Sequence, residues 1–186
     1  KDIVIDISPQ ANPWTHLQFN NDPDHFQFAI VADRTGGCRI GVFASAVDKI
    51  NLLQPEFVIC VGDLISGVTV YEKELDKQWL EFNRIVNRLD MPFFYVPGNH
   101  DISNEVMLSK WNQLFGRPYY HFIYNNVLFL CLDTEDPPNP SSPGNLSDQQ
   151  INYFAKVLKD NQDVSWTLLF MHKPLWEGEN KNISLE

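Results

Sequence analysis

Short apolar runs alternate with longer segments whose apolar residues recur every three or four positions, and the alternation extends from residue 26 to residue 171. A period of two suits a pleated strand, and a period near 3.6 suits a helix packed on one face, so the pattern predicts successive strand–helix units. Residues 26–32 (FQFAIVA) read as a strand ending at Asp33, and residues 40–53 as a helix with Val42, Phe43, Ala46, Val47 and Ile50 on one face. Residues 56–61 (EFVICV) are the next strand, followed by a helix over 72–89 with Leu75, Trp79, Phe82, Ile85, Val86 and Leu89 toward the core. A third strand, 91–96, is closed by Pro97-Gly98, and a helix over 103–115 offers Val106, Leu108, Trp111 and Leu114 to the core.

The rhythm then changes. Residues 119–124 and 127–132 flank Asn125-Asn126, and because Asn tolerates positive φ, an Asn pair between two β-prone runs predicts an antiparallel hairpin. Residues 137–145 (PPNPSSPGN) read as a surface loop, Ser147 and Gln150 as a capping box opening a helix that ends at about Lys159, and 166–171 as the last strand. Residues 1–25 hold one candidate strand, 2–7, and an irregular stretch with Pro9, Pro13 and Pro23; they are set apart as an N-terminal extension, with 26–186 as the domain proper. The expected class is α/β, a mixed β-sheet flanked by helices.

Composition narrows the function. The 186 residues, 44% hydrophobic and 13% aromatic, suit one packed domain. A net charge of −10 repels polyanions, so no nucleic-acid partner is expected. Cys60 and Cys131 fall inside apolar runs and read as buried thiols, and Cys38, with no histidine base beside it, reads as inert; no disulfide framework is expected. No apolar run approaches the ~20 residues of a membrane span. A cleaved signal peptide would leave no trace in this sequence, and a secreted or periplasmic origin is favoured over a cytoplasmic one.

Four polar clusters each stand at the carboxyl end of an expected strand: Asp33-Arg34-Thr35, Gly62-Asp63, Gly98-Asn99-His100-Asp101 and His172-Lys173-Pro174. Ligands of open α/β sheets bind beyond the carboxyl ends of the strands, so residues distant in sequence can meet there. Carboxylate, amide and imidazole donors suit Mn, Fe or Zn better than calcium. A pair of ions needs a bridging carboxylate, for which Asp63 is the candidate, and a departing alkoxide needs a proton or positive charge, for which His100 is the candidate. Asp101 is expected to orient His100. Taken singly, Asp33 could be a helix cap and His172 a structural turn, and a Rossmann-like binding domain with an accidental GNHD remains an alternative.

The strings VGDLISG (61–67), VPGNHD (96–101) and LLFMHKPLW (168–176), in this order after Asp33, resemble motifs of the calcineurin-like metallophosphoesterase family over roughly residues 26–176. The resemblance implies the first part of a layered α/β/β/α sandwich, with two divalent ions held by Asp33, Asp63, Asn99 and His172 and with His100 near the leaving group. It implies hydrolysis of phosphomono- or phosphodiesters by a metal-bound hydroxide, with a small phosphorylated substrate. Two departures qualify it. The family's Asp-x-His opening reads Asp33-Arg34-Thr35, which removes one imidazole ligand and leaves Arg34 and Thr35 to contact substrate phosphate. The closing Gly-His-x-His motif does not occur before Glu186, so truncation, weak or partial metal occupancy, little or no activity of this chain, and an exposed sheet edge that a second copy could cover as a homodimer are expected. The alternative within the same fold is a catalytically weak member that binds phosphorylated ligands.

Overall fold

In chain order the elements are β1 (Ile3–Ile5), β2 (Ala29–Val31), α1 (Val42–Leu53), β3 (Val58–Cys60), α2 (Glu72–Val86), β4 (Phe93–Phe94), α3 (Glu105–Phe115), β5 (Tyr120–Tyr124), β6 (Val127–Cys131), α4 (Asp148–Asp160), β7 (Trp166–Phe170) and a 3₁₀ turn at Leu175–Glu177. The structure is a computed structural model that describes residues 3–19, 25–139 and 141–177.

Two sheets form. β2, β3 and β4 are parallel neighbours in the order β2-β3-β4, as expected when each strand is followed by a helix that carries the chain back. The second sheet has the order β1-β5-β6-β7. Its β5–β6 pair is the antiparallel hairpin, with Asn125 and Asn126 at φ 46° and 62°, and α4 returns the chain so that β7 lies parallel to β6.

An aromatic layer joins the sheets. Phe57, fully buried ahead of β3, meets Phe94 of β4, Phe122 of β5 and Phe129 of β6 at ring-centroid distances of 5.4, 5.7 and 5.4 Å, and Phe94 stacks on Phe122 at 4.4 Å. β6 alternates: Phe129 and Cys131 face this layer, whereas Leu128 and Leu130 pack with Phe154 and Val157 of α4. Both faces of β6 are therefore buried, and its sequence is an unbroken apolar run. With Val47, Ile50, Leu75, Phe82, Trp111 and Phe115 of α1–α3 packed into the core of the first sheet, the layers run helix, sheet, sheet, helix.

Three expectations change. The segment set apart as an extension belongs to the fold: β1 pairs antiparallel with β5, and the Thr15 amide donates to the Phe93 carbonyl while the Tyr95 amide donates to Pro13, which covers the outer edge of β4. Asp2 and Pro23 lie outside the described residues. On α3 the buried stripe is Met107, Trp111 and Phe115, at i, i+4 and i+8, and Leu114 is turned outward; Lys110 is buried on the same face and held by Asp76 at 2.8 Å. On α1 only Val47 and Ile50 are buried, and Val42 is exposed.

Candidate metal centre

At the ends of β2 and β3 the backbone turns through the left-handed region at Asp33 (φ 50°) and at Gly62-Asp63 (φ 93° and 58°). Aspartate enters this region more readily than most side chains, and glycine does so freely. The two loops are laced together, the Asp33 amide donating to the Gly62 carbonyl and the Thr35 amide to the Asp63 carbonyl, each at 3.1 Å. The loop after β4 then presses in. A Cβ on Gly98 would lie 2.5 Å from both the amide nitrogen and Oδ1 of Asp63, and one on Gly62 would lie 2.6 Å from the Gly98 backbone and 2.8 Å from Nδ1 of His172. Glycine is required at both positions because three chain segments approach more closely than a methyl group allows.

This packing gathers the four expected ligands. Single donor atoms of Asp33, Asp63 and His172 all lie within 4.8 Å of one another, with Asp33 exposed, His172 half-buried and Asp63 buried. His172 Nδ1 is 2.8 Å from the Val61 carbonyl, so in the neutral ring Nδ1 carries the hydrogen and Nε2 presents its lone pair. That lone pair faces Asn99 Oδ1 at 3.1 Å and Asp63 Oδ1 at 3.4 Å. Lone pairs directed at one another in a half-buried pocket repel unless a cation or proton sits among them, and backbone anchoring of the far ring nitrogen is the usual way an imidazole ligand is oriented. By donor chemistry and arrangement, the residues present fit a divalent transition ion.

His100 reaches the rim of this cluster. Its amide donates to Asp63 Oδ1 at 3.0 Å, its Nδ1 is 2.8 Å from the Ser66 carbonyl, and its Nε2 is 4.0 Å from Asp63 Oδ2. Asp101 does not orient that ring. Its buried carboxylate accepts from the Leu64 and Ile65 amides on Oδ1 and from the Gly98 amide on Oδ2, clamping the loops after β3 and β4 together, and the Ser66 carbonyl does the orienting. Burial pushes the Asp101 carboxyl up to about 7 against the opposing pull of these three amides.

Arg34 and Thr35 do not face the cluster. The Arg34 guanidinium donates to the Leu64 carbonyl at 3.1 Å, pairs with both oxygens of Glu81, and lies 5.6 Å from the Phe82 ring centroid. The buried Thr35 hydroxyl donates to the Asp63 carbonyl at 3.2 Å. The Glu81 carboxylate on α2 and the backbone carbonyls of Leu64 and Asp63 take up the donors that the sequence offered to phosphate. Trp176 lies on the 3₁₀ turn and is exposed. Cys60 is fully buried, its thiol is pushed up to about 12 by burial, and it bonds the Val96 backbone, in line with an inert role; Cys38 is exposed.

One cluster beside the centre was missed. Asp133-Thr134-Glu135 follows β6, whose parallel neighbour β7 leads into His172-Lys173. The Asp133 amide donates to Gln150 Oε1, the Gln150 amide group donates to the Asp133 carbonyl and to Asp136, and the Lys173 amide donates to Thr134 Oγ1. Gln150 thus turns to β6; Ser147 caps α4 alone, accepting from the Gln150 amide at 3.2 Å. The signal that could have found this cluster is the one that found the others, a run of polar residues at the carboxyl end of a strand.

Comparison with known proteins gives a family and a shared fold. The sequence profile of a family described as calcineurin-like phosphoesterase matches residues 16–184. The serine/threonine-protein phosphatase CPPED1 of Homo sapiens is 29% identical over 170 residues, covering 81% of this chain and 54% of that protein. A probable glycerophosphodiester phosphodiesterase GpdQ of Arcobacter nitrofigilis is 31% identical over 131 residues, covering 65% of this chain and 42% of that protein. The chain thus spans about half the length of the curated relatives it matches. Among solved structures, a dimetal phosphatase from Danio rerio superposes with a TM-score of 0.63 at 18% identity, covering 81% of this chain and 70% of that one, which shows a shared fold.

Proposed function

This chain belongs to the calcineurin-like phosphoesterase family, and from that premise we propose that it contributes a centre of two divalent ions that hydrolyses phosphomono- or phosphodiesters of small molecules. Asp33, Asp63, Asn99 and His172 would hold the ions. The ions would supply Lewis-acid polarisation of the phosphoryl group and acidify a water. The observation that carries the proposal is the approach of Asn99 Oδ1, at 3.1 Å, and Asp63 Oδ1, at 3.4 Å, to His172 Nε2, the ring nitrogen that bears no hydrogen in the neutral form.

The chain's own residues do the rest. Asp101 holds the Gly98 and Leu64 backbones so that ligands from two strands keep a common centre. His100, with Nδ1 held by Ser66, keeps Nε2 toward the cluster, and the imidazolium form can give a proton from Nε2 to a departing alkoxide oxygen.

The test is uptake of Mn²⁺ followed by electron paramagnetic resonance of the free ion, alongside hydrolysis of p-nitrophenyl phosphate and its diester. Wild type should take up the ion and the variants Asp63→Asn and His172→Ala should lose it; equal uptake by all three would overturn the assignment. A second reading, binding of phosphorylated ligands without turnover, is favoured by one observation: the Thr35 hydroxyl, where the family places a histidine, is tied to the Asp63 carbonyl. It predicts Mn²⁺-dependent retention of inorganic phosphate with neither ester cleaved.

A further inference from the structure

Glu135 is a charged residue with no exposed side-chain surface, placed where no structural need for a carboxylate is evident. Its Oε1 is 2.7 Å from Lys173 Nζ, and its Oε2 has no hydrogen-bond partner among the described residues. Burying a carboxylate and leaving one oxygen unpartnered costs several kcal/mol in general, and an apolar residue of similar size would avoid that cost. Lys173 follows the proposed ligand His172 directly, and the strand that leads into Glu135, β6, is the parallel neighbour of the strand that leads into His172, β7. Its neighbourhood is held from several sides: the Lys173 amide donates to Thr134 Oγ1, Lys173 Nζ donates to the Ser142 carbonyl at 2.8 Å, and the Glu135 amide donates to Asp133 Oδ1 at 2.9 Å.

We propose that Glu135 serves the metal centre as a buried outer anion that raises its affinity for divalent cations, with Lys173 fixing the carboxylate and opposing part of its field. This rests on the reading of Asp33, Asp63, Asn99 and His172 as a metal site. Two carboxylate ligands neutralise only half the charge of two divalent ions, so a further buried anion stabilises the loaded site. The ammonium does not cancel it. The Lys173 side chain retains 12% exposure and shares its charge with a carbonyl, whereas Glu135 retains none, so water screens the cation better than the anion.

The sign of the mutational effect tests the proposal, with Mn²⁺ affinity measured by electron paramagnetic resonance on the folded chain. Glu135→Gln keeps the shape and removes the charge, and should weaken Mn²⁺ binding about tenfold, within the span usual for residues just outside a ligand shell. Lys173→Met should tighten it. If the pair only clamps the segment bearing His172, both substitutions weaken binding, and that result would overturn the proposal. Should circular dichroism show that Lys173→Met does not fold, the double variant decides: it must bind Mn²⁺ more tightly than Glu135→Gln alone, and equal or weaker binding overturns the proposal. A folded wild type that takes up no Mn²⁺ would instead overturn the metal assignment, and this inference with it.

Discussion

Replacing Asp101 separates the clamp from the ligands, because its carboxylate touches neither His172 nor the ring of His100. In the folded chain Oδ1 accepts two amides, Leu64 at 2.9 Å and Ile65 at 3.1 Å, and Oδ2 accepts the Gly98 amide at 2.9 Å, at 1% exposure. Asparagine has one acceptor oxygen. Placed on the Leu64 and Ile65 amides, it turns its NH₂ toward the Gly98 N–H, leaving a buried donor unsatisfied and opposing two donors, a loss of ~2 kcal/mol. Alanine leaves all three amides unpartnered and should cost ~4 kcal/mol, a large part of the total stability of an ordinary domain. Because Gly98 precedes Asn99 and Gly62-Asp63 precedes Leu64, relaxation of the clamp moves two proposed ligands apart, and Mn²⁺ affinity should fall about 10- to 100-fold. Urea unfolding followed by tryptophan fluorescence gives the stability change, and free-ion resonance gives the affinity. If Asp101→Asn unfolds within about 0.5 kcal/mol of wild type and binds Mn²⁺ equally, a range normal for inconsequential surface changes, the clamp does not operate as described.

Gly98→Ala drives a methyl group against backbone and carboxylate of Asp63, at 2.5 Å in the unrelaxed geometry, and should destabilise by roughly 1–3 kcal/mol and abolish Mn²⁺ uptake; a wild-type melting curve would contradict the close approach. Arg34→Met should leave Mn²⁺-dependent retention of inorganic phosphate unchanged, since the guanidinium is engaged by Glu81; a weakening beyond about tenfold, equivalent to ~1.4 kcal/mol of lost binding, would place it on phosphate after all. Burial and the neighbouring Asp136 and Glu135 push the Asp133 carboxyl up to about 8 from an ordinary 3.8, so between these values the folded state binds more protons than the unfolded state and stability falls as pH rises. Melting temperature should drop from about pH 5 to about pH 8, less steeply in Asp133→Asn; equal slopes in both proteins would assign the pH dependence to other groups.

Much of the architecture follows from local pattern. The period-two and period-3.6 runs place α1–α4 and β2–β7, and the Asn125-Asn126 pair identifies the hairpin, because these signals depend on neighbours within a few residues. The candidate ligands are equally legible, since Asp33, Asp63, Asn99 and His172 each follow a strand, and strands of an α/β fold deliver their carboxyl ends to one side.

Direction and partnership depend on the whole molecule. Nothing adjacent to Arg34 announces Glu81 on α2, so the phosphate contact expected of Arg34 and Thr35 gave way to bonds with α2 and the β3 loop. The same holds for Asp101, whose amide partners Leu64 and Ile65 lie far back in the chain, and for Lys110, buried only because Asp76 meets it. Sequence alone determined which segments would be strands and helices and which polar residues would stand at strand ends, because hydrophobic period and turn chemistry are local. Tertiary structure alone decided that two sheets pack through Phe57 and Phe122, that β1 joins the second of them, and that Glu135 and Lys173 meet beside His172, because these contacts arise only when distant strands pair and expel water between their faces.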